Sequence, residues 1–85
     1  MPDNKLKLTV VVSGEDTAIV VNPHQSVDHL VREALKESGN KGQPPENWIL
    51  RSEESEIAQD QKIEEAGIVD GMKLYLNPKR GEGGN

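Results

Sequence analysis

Eighty-five residues with a formal net charge of −5 make one small domain, of a size that buries roughly 60% of its unfolded surface. The absence of cysteine excludes disulfides, thiolate metal sites and a cysteine nucleophile, and 15 acidic residues against 10 basic ones oppose nucleic-acid binding. No apolar run approaches membrane-spanning length and Met1-Pro2-Asp3-Asn4 does not read as a signal sequence, so a soluble, cytoplasmic protein without a membrane partner is expected.

With no Phe, one Trp and one Tyr, aliphatic side chains must build the core. Residues 1–4 read as a flexible N-terminus. From Lys5 to Val12 the chain alternates, with Leu6, Leu8, Val10 and Val12 on one side and Lys7, Thr9 and Val11 on the other, the pattern of a half-buried strand. Ser13-Gly14-Glu15-Asp16 reads as a turn, and Thr17, Ile19 and Val21 carry a second strand to Asn22-Pro23. Ser26 is placed as a helix N-cap with Asp28 in the first turn. Val27, Leu30, Val31, Ala34 and Leu35 then form one apolar stripe, ended by Ser38-Gly39-Asn40.

Pro44-Pro45 forbids helix and sets up an extended entry to a strand over Trp48-Ile49-Leu50-Arg51-Ser52. Glu53-Glu54-Ser55-Glu56 reads as a charged, solvated turn, Ile57-Ala58 as a brief edge strand, and Ile63 to Ala66 as one helical turn closing at Gly67. After Asp70-Gly71 a last strand places Met72, Leu74 and Leu76 inward and Lys73 and Tyr75 outward. The order strand, strand, helix, strand, short strand, strand predicts an α+β domain over residues 5–76, with a mixed sheet packed on one helix.

Residues 77–85 have a different character. Asn77-Pro78 ends the strand pattern, and three glycines follow within seven residues. Residues 1–76 carry a net charge of −6 and residues 77–85 a charge of +1, so Lys79-Arg80 stands out against an acidic body. Such an end is either a plain frayed terminus or linker, or a segment that functions by extending from the fold.

Other residues offer little chemistry. His24 and His29 are five apart, the wrong spacing for one helix face, and no metal site is expected. Neither belongs to a hydrolytic triad. Parity with Leu50 places Trp48 in the core, while Tyr75, Arg51 and Lys73 compose a mixed surface patch open to a partner.

The element order resembles the β-grasp fold of ubiquitin. Gly42-Gln43-Pro44-Pro45-Glu46-Asn47 is similar to the link that follows ubiquitin's helix, and Pro44 to Leu76 lies on ubiquitin without a gap. Leu50, Ile57, Ile63, Ile68, Leu74 and Leu76 then fall on its buried aliphatic positions. The terminal pair Gly83-Gly84 completes the likeness, which covers about residues 5–84. Departures are informative. Arg51 and Asn77 stand where two aliphatics of ubiquitin's exposed patch would be, Lys79 replaces a tail arginine, Glu82 interrupts the run to the glycines, and Asn85 lies past Gly84. The chain therefore resembles a ubiquitin-like modifier, of the kind found in bacterial conjugation operons, rather than ubiquitin itself.

The resemblance implies a non-enzymatic protein that is monomeric when free. A processing peptidase would cut between Gly84 and Asn85. An activating enzyme, using ATP, would adenylate the Gly84 carboxylate and engage Lys79 and Arg80. A conjugating enzyme would then pass the acyl group by way of a cysteine thioester to amines of target proteins. Gly83 and Gly84 would be the conjugation residues, and the seven lysines would be surface residues first and acceptors second. No cofactor is implied for the chain itself. Two further readings stand beside this one: a sulfur carrier whose terminal glycine becomes a thiocarboxylate, and a β-grasp binding module whose tail is only a linker.

Overall fold

The computed structural model describes residues 5–79. Strands β1 (Leu6–Val12) and β2 (Glu15–Val21) are followed by helix α1 (Val27–Glu37), a 3₁₀ turn (Pro45–Asn47), and strands β3 (Trp48–Arg51), β4 (Glu56–Ile57) and β5 (Lys73–Pro78). The five strands form one sheet in the order β2-β1-β5-β3-β4. β5 runs parallel to β1 and antiparallel to β3, and the other neighbours are antiparallel. The α+β architecture expected from the sequence, a mixed sheet with one helix on it, is the architecture found.

The hairpin turn is tighter than the sequence pattern indicated. Ser13 and Gly14 both have positive φ, 49° and 90°, and Val12 faces Glu15 directly. Two central residues with φ > 0 match the right-handed twist of the strands they join. Glu15 and Asp16 consequently belong to β2 rather than to the turn.

Helix α1 forms where the periodicity placed it. The Ser26 hydroxyl accepts from the His29 N–H at 3.1 Å, which satisfies one orphan donor of the first turn. At the other end Gly39 takes φ 88°, so that the Asn40 N–H reaches back to the Leu35 carbonyl at 2.7 Å. Val27, Leu30, Val31 and Ala34 are fully buried and Leu35 nearly so, the apolar stripe lying against the sheet.

Three local differences follow from proline and from turn geometry. Pro44 is extended as expected (φ −73°, ψ 129°), but Pro45 opens the 3₁₀ turn, at a first position where no N–H is needed. The short strand is Glu56–Ile57, not Ile57-Ala58, because Ile57 pairs with Leu50 and Glu56 with Arg51. Around Ile63 the backbone makes one turn of bonds, Ala66 N–H to the Lys62 and Ile63 carbonyls, and closes at Gly67 without becoming a helix.

The last strand also differs. It begins at Lys73 and runs to Pro78, two residues beyond the point where the sequence pattern ended it. The Leu76 carbonyl accepts from the Ser13 N–H at 3.0 Å on the β1 side. Two residues on, Pro78 turns its nitrogen to that same side, where β1 has already ended, so no ladder donor is missed.

Between the layers lie the inward residues of β1, β2, β3 and β5 and the helix stripe, joined by Ile57, Ile63 and Ile68 from the connections. Leu50, Leu74 and Leu76 are fully enclosed. Leu74→Ala is expected to cost about 2–5 kcal/mol in a urea melt, whereas Lys73→Ser on the same strand is expected to stay within about 0.5 kcal/mol. Equal, small effects of the two would contradict the strand's register.

Candidate functional site: the open sheet face and the strand exit

Alternation in β5 turns Leu74 and Leu76 to the helix and sends Lys73, Tyr75 and Asn77 to the opposite face of the sheet. That face has no covering layer among the described residues. The same parity in β3 puts Ile49 and Arg51 there, and in β1 it puts Lys7, Thr9 and Val11 there. Strand register then sets neighbours. Tyr75 lies between Val11 of β1 and Arg51 of β3, Thr9 faces Lys73, and Asn77 faces Ile49.

The structure thus brings together the three patch residues expected from the sequence. Arg51 is directly opposite Tyr75, and Lys73 stands two residues along the strand on the same side. Val11, Ile49 and Tyr75 are half-buried, and Lys7, Lys73 and Arg51 are exposed. The ion pairs found among the described residues are His24–Glu64, Arg32–Asp28 and Lys36–Glu33, so these three cations engage no carboxylate there. The same register sets Asp16 of β2 beside Val11 and Glu56 of β4 beside Arg51, so this face has a small apolar centre, with Lys7, Lys73 and Arg51 near it and carboxylates on the two outer strands. Val11 and Ile49 were legible as outward by alternation, but their place beside Tyr75 requires the strand order.

The second part of the site is where β5 leaves the sheet. Pro78 faces Trp48, and the next residue's N–H, that of Lys79, donates to the Asn47 carbonyl at 2.8 Å. Trp48 is buried at 7% exposure, in the core as its parity indicated. Beyond the short reach of β4, the outer edge of β3 is closed by a side chain. The Gln59 amide donates to the Pro45 carbonyl at 3.1 Å and to the Trp48 carbonyl at 2.9 Å. Nothing in the sequence pattern around Gln59 signals this role, because it depends on a contact between segments more than ten residues apart.

Beside the exit is an open hollow of about 360 Å³, where Lys79 shares the lining with Glu46, Glu56 and Asp60. Lys79 is exposed there, within a locally acidic setting of its own chain. Arg80, Gly83, Gly84 and Asn85, and residues 1–4, lie outside the described residues. His24 is placed 3.8 Å from Glu64, and among the described residues no group of three or more His, Asp or Glu side chains is arranged to hold a metal ion. No described helix is long and apolar enough to cross a membrane.

Comparison with known proteins places the chain. A family described as "Protein of Unknown function (DUF2604)" matches residues 1–84. The chain belongs to this family. The DUF2604 chain is 37% identical over 82 residues to the uncharacterized protein y4jI of Sinorhizobium fredii (strain NBRC 101917 / NGR234), with 94% of the chain covered. It spans 62% of that relative's length.

Solved structures similar to it have the ubiquitin-like fold. A de novo design based on ubiquitin superimposes with a TM-score of 0.79 at 20% identity, covering 99% of this chain and all of the design. Ubiquitin of Caldiarchaeum subterraneum gives 0.72 at 20% identity, covering 93% and 99% of the two chains. The N-terminal ubiquitin-like domain of the 4931431F19Rik protein gives 0.76 at 11% identity, covering 99% and 84%. The DUF2604 chain therefore has a ubiquitin-like β-grasp fold.

Gln59→Leu tests the closure of the exit. The Trp48 carbonyl loses its side-chain donor while the Pro45 carbonyl keeps the Trp48 N–H, and a loss of about 1–3 kcal/mol is expected, with altered emission from Trp48, the chain's single tryptophan. Wild-type stability and emission would show that Gln59 is not the closure.

Proposed function

We propose that this chain is a ubiquitin-like protein modifier whose Gly84 carboxylate is its reactive group. The observation that carries the reading is the exit geometry. β5 is held through Pro78 by its pairing with β3, and Lys79 by the Asn47 carbonyl, so a glycine-containing end leaves a fixed point on a ubiquitin-like body. The six residues from Lys79 to Gly84 reach about 20 Å at ~3.3 Å per residue. A body docked on one surface of a partner can therefore deliver its end to an active site of that depth.

In this proposal a peptidase hydrolyses the Gly84–Asn85 bond and exposes the glycine carboxylate. A carboxylate is a poor acyl donor. The activating enzyme joins it to the AMP part of ATP, with loss of pyrophosphate, and a cysteine thiolate displaces AMP to give a thioester. A conjugating enzyme takes the acyl group, and a target amine then attacks the thioester, forms an amide and releases the thiol. Each catalytic group belongs to a partner, and the chain itself is not an enzyme and holds no cofactor.

Glycine suits positions 83 and 84 because the absence of Cβ lets the chain thread a narrow channel and leaves the carbonyl open on both sides. Lys79 and Arg80 hold the tail in register against carboxylates of the activating enzyme. Arg51, Tyr75 and Lys73 offer the docking face, and the substitution of charge for aliphatic surface there selects different readers from those of ubiquitin. The free protein is a cytoplasmic monomer in this account, and binds neither nucleic acid nor membrane.

The test is thioester formation with the cognate activating enzyme, on protein processed to Gly84. Gly84→Ala is expected to leave the thermal melt unchanged and to slow charging at least tenfold. Lys79→Glu is expected to weaken engagement, with added salt narrowing the difference from wild type. Wild-type charging by both variants would overturn the reading.

A further inference from the structure

The hollow beside the β5 exit is a groove with an apolar floor and an acidic rim. Ile49, Ile57 and Ala58 contribute to the floor, and Glu46, Glu56 and Asp60 to the rim, all three acids being exposed. The ion pairs found among the described residues involve none of the three. Lys79 lines the same groove, at the point where the described chain ends.

The charge behind this rim is high for so small a chain. Residues 53–65 hold six acidic side chains against Lys62, a net charge of −5 that equals that of the whole protein. Glu56 and Asp60 belong to this segment, so the groove borders the stretch in which the chain's negative charge is concentrated. A recess lined by one sign of charge focuses its field and attracts the opposite sign.

Strand register says what the chain itself brings there. Asn77 is opposite Ile49, Pro78 is opposite Trp48, and the Lys79 N–H donates to the Asn47 carbonyl. Continued by two residues, that register puts position 79 opposite Asn47 and position 80 opposite Glu46. Position 80 is an arginine. Opposite charges facing each other across two strands attract, and the planar guanidinium fork matches a carboxylate. Exposed ion pairs are individually weak. A segment tethered at the groove, however, meets it at a high effective concentration, so weak contacts suffice.

We propose that this groove is the docking site of the chain's own tail in the free protein, with the Arg80 guanidinium held by Glu46 and the rim of Glu56 and Asp60. Six residues follow Lys79. The anchorage ends at Arg80, because Glu82 meets the same negative field and the glycines have no side chain to hold. A basic side chain of another protein, or the tail of a second copy, competes without the advantage of the tether. The contact belongs to the free chain and stands without the modifier reading. Under that reading it is a latch, since carboxylates of the activating enzyme displace the rim from Lys79 and Arg80 before Gly84 is drawn away.

The test is amide ¹⁵N relaxation on the full chain at low salt, with no enzyme present, so its outcome is separate from that of the thioester assay. The order parameter of the residue 80 amide is expected above about 0.7, nearer rigid backbone at about 0.85 than a flexible segment below about 0.6. Arg80→Glu and Glu46→Arg, each a reversal of one exposed charge, are expected to bring it below about 0.6, and added salt to do the same to wild type. The combination of the two substitutions is expected to restore the wild-type value. Unchanged Trp48 emission checks that the variants keep the body of the fold. A wild-type value below about 0.6, no effect of the single reversals, or no recovery in the combination would overturn the proposal. A value that rises with protein concentration would overturn it as well, by assigning the groove to the tail of a second copy.

Discussion

The structure depends on the insertion of β5 between β1 and β3. Its two neighbours come from opposite halves of the chain, and it pairs with one in parallel and with the other antiparallel. Contacts such as Val10 with Leu74 close a loop of more than sixty residues, an ordering cost that local structure cannot offset. What offsets it is burial. Leu74 and Leu76 reach zero exposure between helix and sheet, in company with Val10, Leu30 and Leu50. β5 thus joins the hairpin to the β3–β4 segment within the sheet, while backbone bonds such as Val27 N–H to the Gln61 carbonyl and Ile63 N–H to the Gln25 carbonyl tie the helix start to the later connection.

The same strand ties the fold to the proposed function. Its inward residues are core, its outward residue Tyr75 centres the open face, and its last residues fix where the chain departs. One alternating element therefore supplies core residues, the centre of the open face and the point where the described chain leaves the sheet. The Gln59 amide gives the exit a closed edge by donating to the Trp48 carbonyl of β3 and to the Pro45 carbonyl of the 3₁₀ turn.

Much of this was legible in the sequence where a local rule was enough. Ser26, the stripe from Val27 to Leu35 and Gly39 mark helix α1 without reference to the rest of the chain. Alternation sorted Leu74 from Tyr75, and parity placed Trp48 in the core. The hairpin turn was harder, because Ser13 is not among the residues that readily take positive φ. Pro78 looked like a strand ender because its effect depends on which side its nitrogen faces, and that is set by where β1 stops. Ile49 beside Asn77 and Gln59 beneath Pro45 depend on strand order and on a loop contact, neither of which has a period to read. The glycine pair, by contrast, signals its chemistry only through resemblance to a family, since it lies outside the described residues.

The central claim is that Gly84 becomes an acyl group joined to a protein amine. Tandem mass spectrometry of tryptic peptides from the native host tests it most directly. Cleavage after Arg80 would leave the branch Gly81-Glu82-Gly83-Gly84 on a target lysine. The account predicts lysines carrying this four-residue remnant, with Asn85 absent from it. Recovery of the chain solely in free form, or with its terminal peptide still ending in Gly84-Asn85, would contradict it.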